Sequence, residues 1–324
     1  MNKENIINKK TTKYPLVSII IPVYNGSNYM QEAIDSALQQ TYSHIEIIVV
    51  NDGSTDSGKT ERIALSYGNK IRYLTKKNGG VATALNMGIE HMNGSFFSWL
   101  SHDDVYYPEK VEYQIEYLQT INSKQFIVYS DFDIINSKSI ITNHYHLNHD
   151  MLIKKPLYGI LRGHIHGCSL LIPKEAFSKY GVFNTTLKFT QDYDLWLRLS
   201  KHYTFKHIDK TLIQSRTHQE QDSKVHSQNP KEGNTFWTKC VNELQDEVIL
   251  QCESSKTIFY LRMAIHLKGT PYTKGYDYSK KLAYKESYLF AHILLQFYVI
   301  TFYSKKILRY SLNRYKRLTF QKGK

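Results

Sequence analysis

Val17-Ser-Ile-Ile-Ile-Pro-Val-Tyr-Asn-Gly26 joins an apolar, β-branched run to a small polar turn, and the same pattern recurs downstream. Ile45-Glu-Ile-Ile-Val-Val50 runs into Asn51-Asp-Gly-Ser-Thr-Asp56. Ile71-Arg-Tyr-Leu74 precedes Asn78-Gly79-Gly80, and Phe96-Phe-Ser-Trp-Leu100 stops at Ser101-His-Asp-Asp104. Each run reads as a strand and is too short to cross a bilayer. Helical patterns lie between them: Ala33, Ile34, Ala37 and Leu38 share one helix face, and Gly94 is expected to close the helix after Gly80. Strand and helix thus alternate through the first hundred residues or so, which predicts an α/β fold with a mainly parallel sheet flanked by helices.

Ligands of such sheets gather beyond the carboxyl ends of the strands. Tyr24-Asn25, Asn51-Asp52 and Asp103-Asp104 all fall there, which makes this edge the candidate site. Further on, Ile127 to Asp131 reads as a strand, followed by a less regular stretch holding His144, His146 and His149. Gly167 to Pro173 reads as a strand meeting a helix start. Phe189 to Leu199 opens an amphipathic helix whose apolar stripe is Leu195, Trp196 and Leu199. Beyond residue 225 or so, helical patterns rich in Lys and Tyr replace the strands. The expected organisation is an N-terminal extension over 1–14, an α/β domain over 15–225 and a helical, basic region over 226–324.

The chain carries a formal charge of +13, a pI near 9.3 and 26 Tyr, a balance that favours anionic partners such as nucleotide phosphates, nucleic acid or an anionic membrane. Its three cysteines, Cys168, Cys240 and Cys252, show no metal-binding spacing and fit a reducing, cytoplasmic setting. No signal-peptide pattern is present in Met1 to Tyr14.

Adjacent carboxylates such as Asp103-Asp104 repel, so they persist when solvated, hydrogen-bonded or bound to a cation. Hard divalent ions such as Mn²⁺ or Mg²⁺ take carboxylate and phosphate oxygens together. A solvated turn is the plainer reading of the pair taken alone. The first strand–helix turn has the single Gly26 rather than GxGxxG, and GxxxxGK[ST] occurs nowhere. Dinucleotide-binding and P-loop readings therefore lack their phosphate loops.

Four segments, Val17 to Asn25, Ile47 to Asp56, Ser101 to Asp104 and Gln191-Asp-Tyr-Asp-Leu-Trp-Leu-Arg198, together resemble the ordered motifs of bacterial family 2 glycosyltransferases. That resemblance implies a GT-A fold and inverting transfer from a nucleotide-sugar, with UDP preferred as the carrier. It places Tyr24 against the base, with Asp52 accepting the base N–H. Asn25, Asn78, Gly79, Gly80 and Asn86 would line the donor cleft. Asp103 would approach the ribose or sugar, Asp104 would hold the metal, and Asp192 would be the general base. Arg216 would neutralise phosphate, His218 would contact metal or phosphate, and His164 and His166 would face the acceptor. The acceptor is expected to be a saccharide or lipid-linked glycan. The chain departs from the family at Leu85, where an Arg is usual, and at His102, where an acidic residue is usual. Plainer roles stand beside these: Tyr24 as a turn aromatic, Asp56 and Asp192 as helix caps, and Arg216 to Ser223 as a solvated loop.

Ser287 to Ser304 carries no formal charge, and Lys305, Lys306, Arg309, Arg314, Lys316, Arg317, Lys322 and Lys324 follow it without an acid. This pattern suits a helix docked on an anionic membrane face, against packing within the protein or a span. A nucleotidyltransferase and a basic nucleic-acid-binding protein are the rival functions. The first lacks its phosphate loop. The second would need basic residues and aromatics interleaved along the main domain, so no nucleic-acid partner is expected.

Overall fold

The computed structural model describes residues 14–121, 125–219, 230–294 and 296. The chain divides into two compact units, Met1–Gln228 and Asn229–Lys324.

In the first unit the elements run β1 (Val17–Val23), α1 (Met30–Leu38), β2 (Ile45–Asn51), α2 (Lys59–Ser66), β3 (Arg72–Thr75), α3 (Val81–His91) and β4 (Phe96–Trp99). Next come β5 (Val105–Tyr106), α4 (Lys110–Ile121), β6 (Phe126–Ile135), β7 (Ile141–Tyr145), α5 (His149–Lys154) and α6 (Tyr158–Leu161). The unit continues with β8 (Ile172–Pro173), α7 (Lys174–Tyr180), α8 (Gln191–Leu199) and β9 (Thr204–Arg216).

One sheet has the order β3-β2-β1-β4-β8. Its first four strands are parallel, and β8 is an antiparallel edge. β1 is buried along its whole length because helices cover both faces of the sheet, so its β-branched run has no polar alternation. Ile19, Ile20 and Ile21 have no exposed surface, and each such side chain contributes about 1.5–3 kcal/mol of transfer free energy. On α8 the expected stripe of Leu195, Trp196 and Leu199 is fully buried.

The second sheet, β5-β9-β6-β7, went unread as a sheet in the sequence. β9 pairs parallel with β6 across two irregularities of register, and β7 is an antiparallel edge strand exposed along its length. Gly94 also departs from expectation, for α3 ends at His91 and its cap is Met92. A Cβ on Gly94 would stand 2.5 Å from Ser18 Oγ and 2.7 Å from its backbone nitrogen. Gly94 thus serves the close entry of the chain beside β1.

The second unit comprises α9 (Lys231–Glu243), α10 (Asp246–Cys252), α11 (Lys256–Leu267) and α12 (Thr273–Glu286). Its core includes Phe236, Trp237, Ile249, Phe259, Leu261 and Met263. Ser255 caps α11 by accepting from Ile258 N at 3.2 Å. No helix among the described residues is long and apolar enough to cross a membrane. Residues 1–13, Glu220 to Ser223 and the basic tail from Lys305 lie outside the described residues, as does most of the 295–304 stretch.

Candidate active site

The carboxyl ends of β1 to β4 converge as the strand pattern requires. Asn25 has φ 49°, and its Oδ1 accepts from Thr55 N at 2.7 Å, so it ties the turn after β1 to the turn after β2. Asn25 is thereby committed to holding two loops together. Tyr24 beside it is 45% exposed, with its ring available to a planar ligand.

Asp52 is buried and does more local work than its expected contact with a base. Its Oδ1 accepts from Lys76 Nζ at 2.6 Å, and its Oδ2 accepts from Gly80 N at 2.7 Å. Gly79 N donates to the same carboxylate at 3.1 Å and 3.2 Å. The carboxylate therefore fixes the Asn78-Gly79-Gly80 loop through charge-assisted bonds. A glycine at position 53 permits this closure: with φ 70°, its Cβ would fall 2.6 Å from Asn78 N. Lys76 was missed in the sequence, although it stands one residue past β3 at the same sheet edge and was legible from that position.

Asn86 turns its amide to the protein rather than to the cleft. Its Nδ2 donates to Phe183 O at 2.8 Å and its Oδ1 accepts from Phe183 N at 3.0 Å. Leu85, the departure from the family pattern, is wholly buried. His102 packs against Gly26, where a Cβ would lie 2.5 Å from its ring.

The two adjacent acids after β4 face different ways. Asp103 Oδ2 lies 3.1 Å from His218 Nε2, and their side chains are 11% and 8% exposed. Asp104 turns inward: its Oδ1 accepts from Arg216 N at 2.9 Å and its Oδ2 from Cys168 Sγ at 3.2 Å, with His166 Nε2 3.8 Å away. Burial, then the charge of Asp103, pushes the Asp104 carboxyl up to about 8. Burial also draws His166 down to about 4 and lifts the Cys168 thiol well above its usual range. Asp104 and His218, expected to share a metal, have different partners in this structure, for His218 meets Asp103. The ligand atoms of Asp104, His166 and Cys168 lie within 4.8 Å of one another as an inward cluster.

Arg216, expected at the phosphate, has its hydrogen bonds within the protein. Its guanidinium is fully buried; Nε donates to Asp103 O at 2.7 Å, Nη1 to Asn136 O at 3.1 Å and Ser139 Oγ at 2.9 Å, and Nη2 to Glu32. The guanidinium carbon stands 4.4 Å from the centre of the Tyr29 ring. These partners hold the end of β9 against the turn after β4. Arg216→Ala is expected to cost about 2 kcal/mol of stability through the acceptors left unpaired, read as a lower urea midpoint. An unchanged midpoint with weakened UDP binding would restore the phosphate role.

Asp192 lies in the first turn of α8, half-buried, with its Oδ1 accepting from Tyr193 N at 2.8 Å. The cap of this helix is Thr190. Tyr193 anchors the turn by donating to Ile165 O at 2.8 Å, within the segment that carries His164 and His166. Asp194 instead pairs with Arg198 at 3.0 Å, and Arg198 also donates to Tyr180 O and Val182 O. The helix start is thus built so that Asp194 is spent on structure.

The model of glycosyl transferase family 2 matches residues 18–181, just over half of the chain. The chain belongs to this family. It is 45% identical over 315 residues to an "uncharacterized glycosyltransferase" of Rickettsia typhi, covering 95% of this chain and 94% of that protein. A glycosyltransferase of Rickettsia bellii is 49% identical over 280 residues, 85% of this chain, yet the chain spans 40% of that relative's length. The GT-A fold is shared with the Staphylococcus aureus protein TarS in complex with UDP-GlcNAc. That pair has a TM-score of 0.58 at 15% identity and covers 83% of this chain and 91% of that one. The mannosyltransferase PcManGT of Pyrobaculum calidifontis, in complex with GDP-Man and Mn²⁺, gives 0.57 at 15% identity, covering 90% and 81%. This glycosyltransferase domain gathers Tyr24, Asp52 and Asp103 beyond the carboxyl ends of its parallel strands.

Proposed function

We propose that this family 2 domain catalyses inverting, divalent-metal-dependent transfer of a sugar from a UDP-sugar to a hydroxyl of a saccharide or lipid-linked glycan. The observation that carries the reading is the convergence of Tyr24, the loop clamped by Asp52 and the Asp103–His218 pair on one sheet edge. A carboxylate oxygen and an imidazole nitrogen 3.1 Å apart are donors that Mn²⁺ accepts readily, and Mg²⁺ less so. Such an ion would offset the charge of the departing diphosphate. Tyr24 offers its face to the uracil, while Gly79 and Gly80 keep the loop beside the donor in one conformation. Asp192 removes the proton of the acceptor hydroxyl as the new bond forms. The positive end of α8 favours its ionised form. The UDP-GlcNAc complex of TarS supports UDP as the carrier.

A panel of UDP-sugars and GDP-mannose, assayed for released nucleoside diphosphate with Mn²⁺, tests this reading. Release from a UDP-sugar, abolished by chelation, is the expected result. A folded protein that cleaves none of them would refute it.

Docking on an anionic membrane surface at the cytoplasmic face is part of the same reading. Residues 229–324 hold 17 Lys and Arg against 7 Asp and Glu, and Tyr288, Leu289 and Ile293 are more than half exposed. Each cation near such a surface adds about 1 kcal/mol of attraction. Deleting Lys305 to Lys324 is expected to weaken binding to phosphatidylserine vesicles at least about tenfold, with turnover of a short water-soluble acceptor retained. Equal vesicle binding by both proteins would remove electrostatic docking.

A further inference from the structure

β7 is the edge of the second sheet, and its last residue, Tyr145, presents an exposed aromatic ring. Register pairs Tyr145 with Phe132 and His144 with Asp133. Side chains alternate across a strand, so Tyr145 and Phe132 share one face while His144 and Asp133 share the other. On that second face His144 Nδ1 is bonded to Asp133 at 2.7 Å, and Tyr107 donates to the same carboxylate at 2.6 Å.

On the first face the Tyr145 ring stacks on Phe132, with centroids 4.6 Å apart and planes at 21°. Phe132 is nearly buried and in turn meets the His166 ring at 5.1 Å. His166 Nε2 lies 3.0 Å from Ser215 Oγ and 3.8 Å from Asp104. His166 belongs to the segment that holds the start of α8, since Tyr193, which directly follows Asp192, donates to Ile165 O at 2.8 Å. Tyr145 is therefore linked through Phe132 to His166, in the segment beside Asp104 that also anchors the helix turn carrying the candidate base.

From this we infer that Tyr145 is the stacking platform for a pyranose ring of the acceptor. The inference rests on the glycosyltransferase reading and names the side from which the hydroxyl arrives. An aromatic ring with one face packed on Phe132 is fixed in orientation, and its residue remains 36% exposed. A rigid, amphipathic ring of this kind suits the C–H face of a sugar, whose hydroxyls point outward to water or polar neighbours. The backing by Phe132 and His166 means that little side-chain entropy is lost when the sugar binds.

Saturation-transfer NMR on the full chain, using the methyl pyranosides of GlcNAc, GalNAc, glucuronic acid and galactose as probes, tests the platform. At least one glycoside should show saturated ring protons with wild type and with Tyr145→Phe, which keeps the ring. Tyr145→Ala should weaken that binding about tenfold, while UDP affinity stays constant. Undiminished glycoside binding by Tyr145→Ala, or no glycoside bound by wild type, overturns the inference. So does a changed sedimentation coefficient with glycoside binding intact, which would make β7 a strand-pairing edge between copies. Hydrolysis of UDP-GlcNAc on the same preparation reads the donor function separately. Its failure counts against the glycosyltransferase reading, and the pyranoside result alone judges Tyr145.

Discussion

Asp192→Asn is expected to lower single-turnover transfer by about 10² to 10⁴, the usual cost of losing a general base, with donor affinity and thermal midpoint at wild-type values. Asn keeps the size of the side chain and its ability to accept from Tyr193 N. It cannot take the proton of the acceptor hydroxyl. A purely structural Asp192 would tolerate this change, because Asn caps and supports a helix start as well as Asp does. The cap position is moreover held by Thr190, and Asp194 is engaged with Arg198. Near-wild-type transfer by Asp192→Asn would therefore remove it as the base.

Asp103→Asn is expected to abolish most of the Mn²⁺ enhancement of UDP binding and to lower turnover by at least about 10², since a metal Lewis acid supplies several kcal/mol. The fold should persist. The bond from Arg216 to the Asp103 backbone oxygen survives the substitution, and Asn can still hydrogen-bond His218. Asp104→Asn separates the two acids. Its carboxyl, raised to about 8 by burial and the Asp103 charge, is turned into the protein toward Arg216 N and Cys168, so this neutral, isosteric substitution should leave the fold and the Mn²⁺ enhancement of UDP binding intact. Titrating UDP with and without Mn²⁺ against both variants distinguishes them. An Asp103→Asn protein with full metal enhancement would transfer the metal role away from the Asp103–His218 pair.

β1, β2 and β4 of the first sheet were legible because each is a short apolar run closed by a polar turn, and their burial leaves little alternation to misread. The stripe on α8 was legible for the same reason, since three large apolar residues at helical spacing have one place to go. β7 carried no such signal: Ile141-Thr-Asn-His-Tyr145 is exposed throughout, so burial imposed no pattern on it. β9 was hidden by the Lys206, Asp209 and Lys210 within it and by two shifts of register against β6.

Within the site, the sequence identified the turn after β4 but not the directions of its two acids. Adjacent residues in a turn differ only in where the backbone aims them, and His218, 115 residues away from Asp103, decides which acid gains an imidazole. The burial of Arg216 was hidden for a related reason. Its carboxylate partner, Glu32, is 184 residues distant, so nothing local marked its guanidinium as buried. Asn86 likewise finds Phe183 at a separation of 97.

Proton NMR of the glycoside that the wild-type protein forms from α-linked UDP-GlcNAc and a bound pyranoside acceptor tests the transfer mechanism most directly. Attack by a hydroxyl that Asp192 deprotonates, on the face opposite the departing diphosphate, leaves a β-linked product. A product retaining the α configuration would contradict direct displacement and, with it, the assignment of Asp192 as the base.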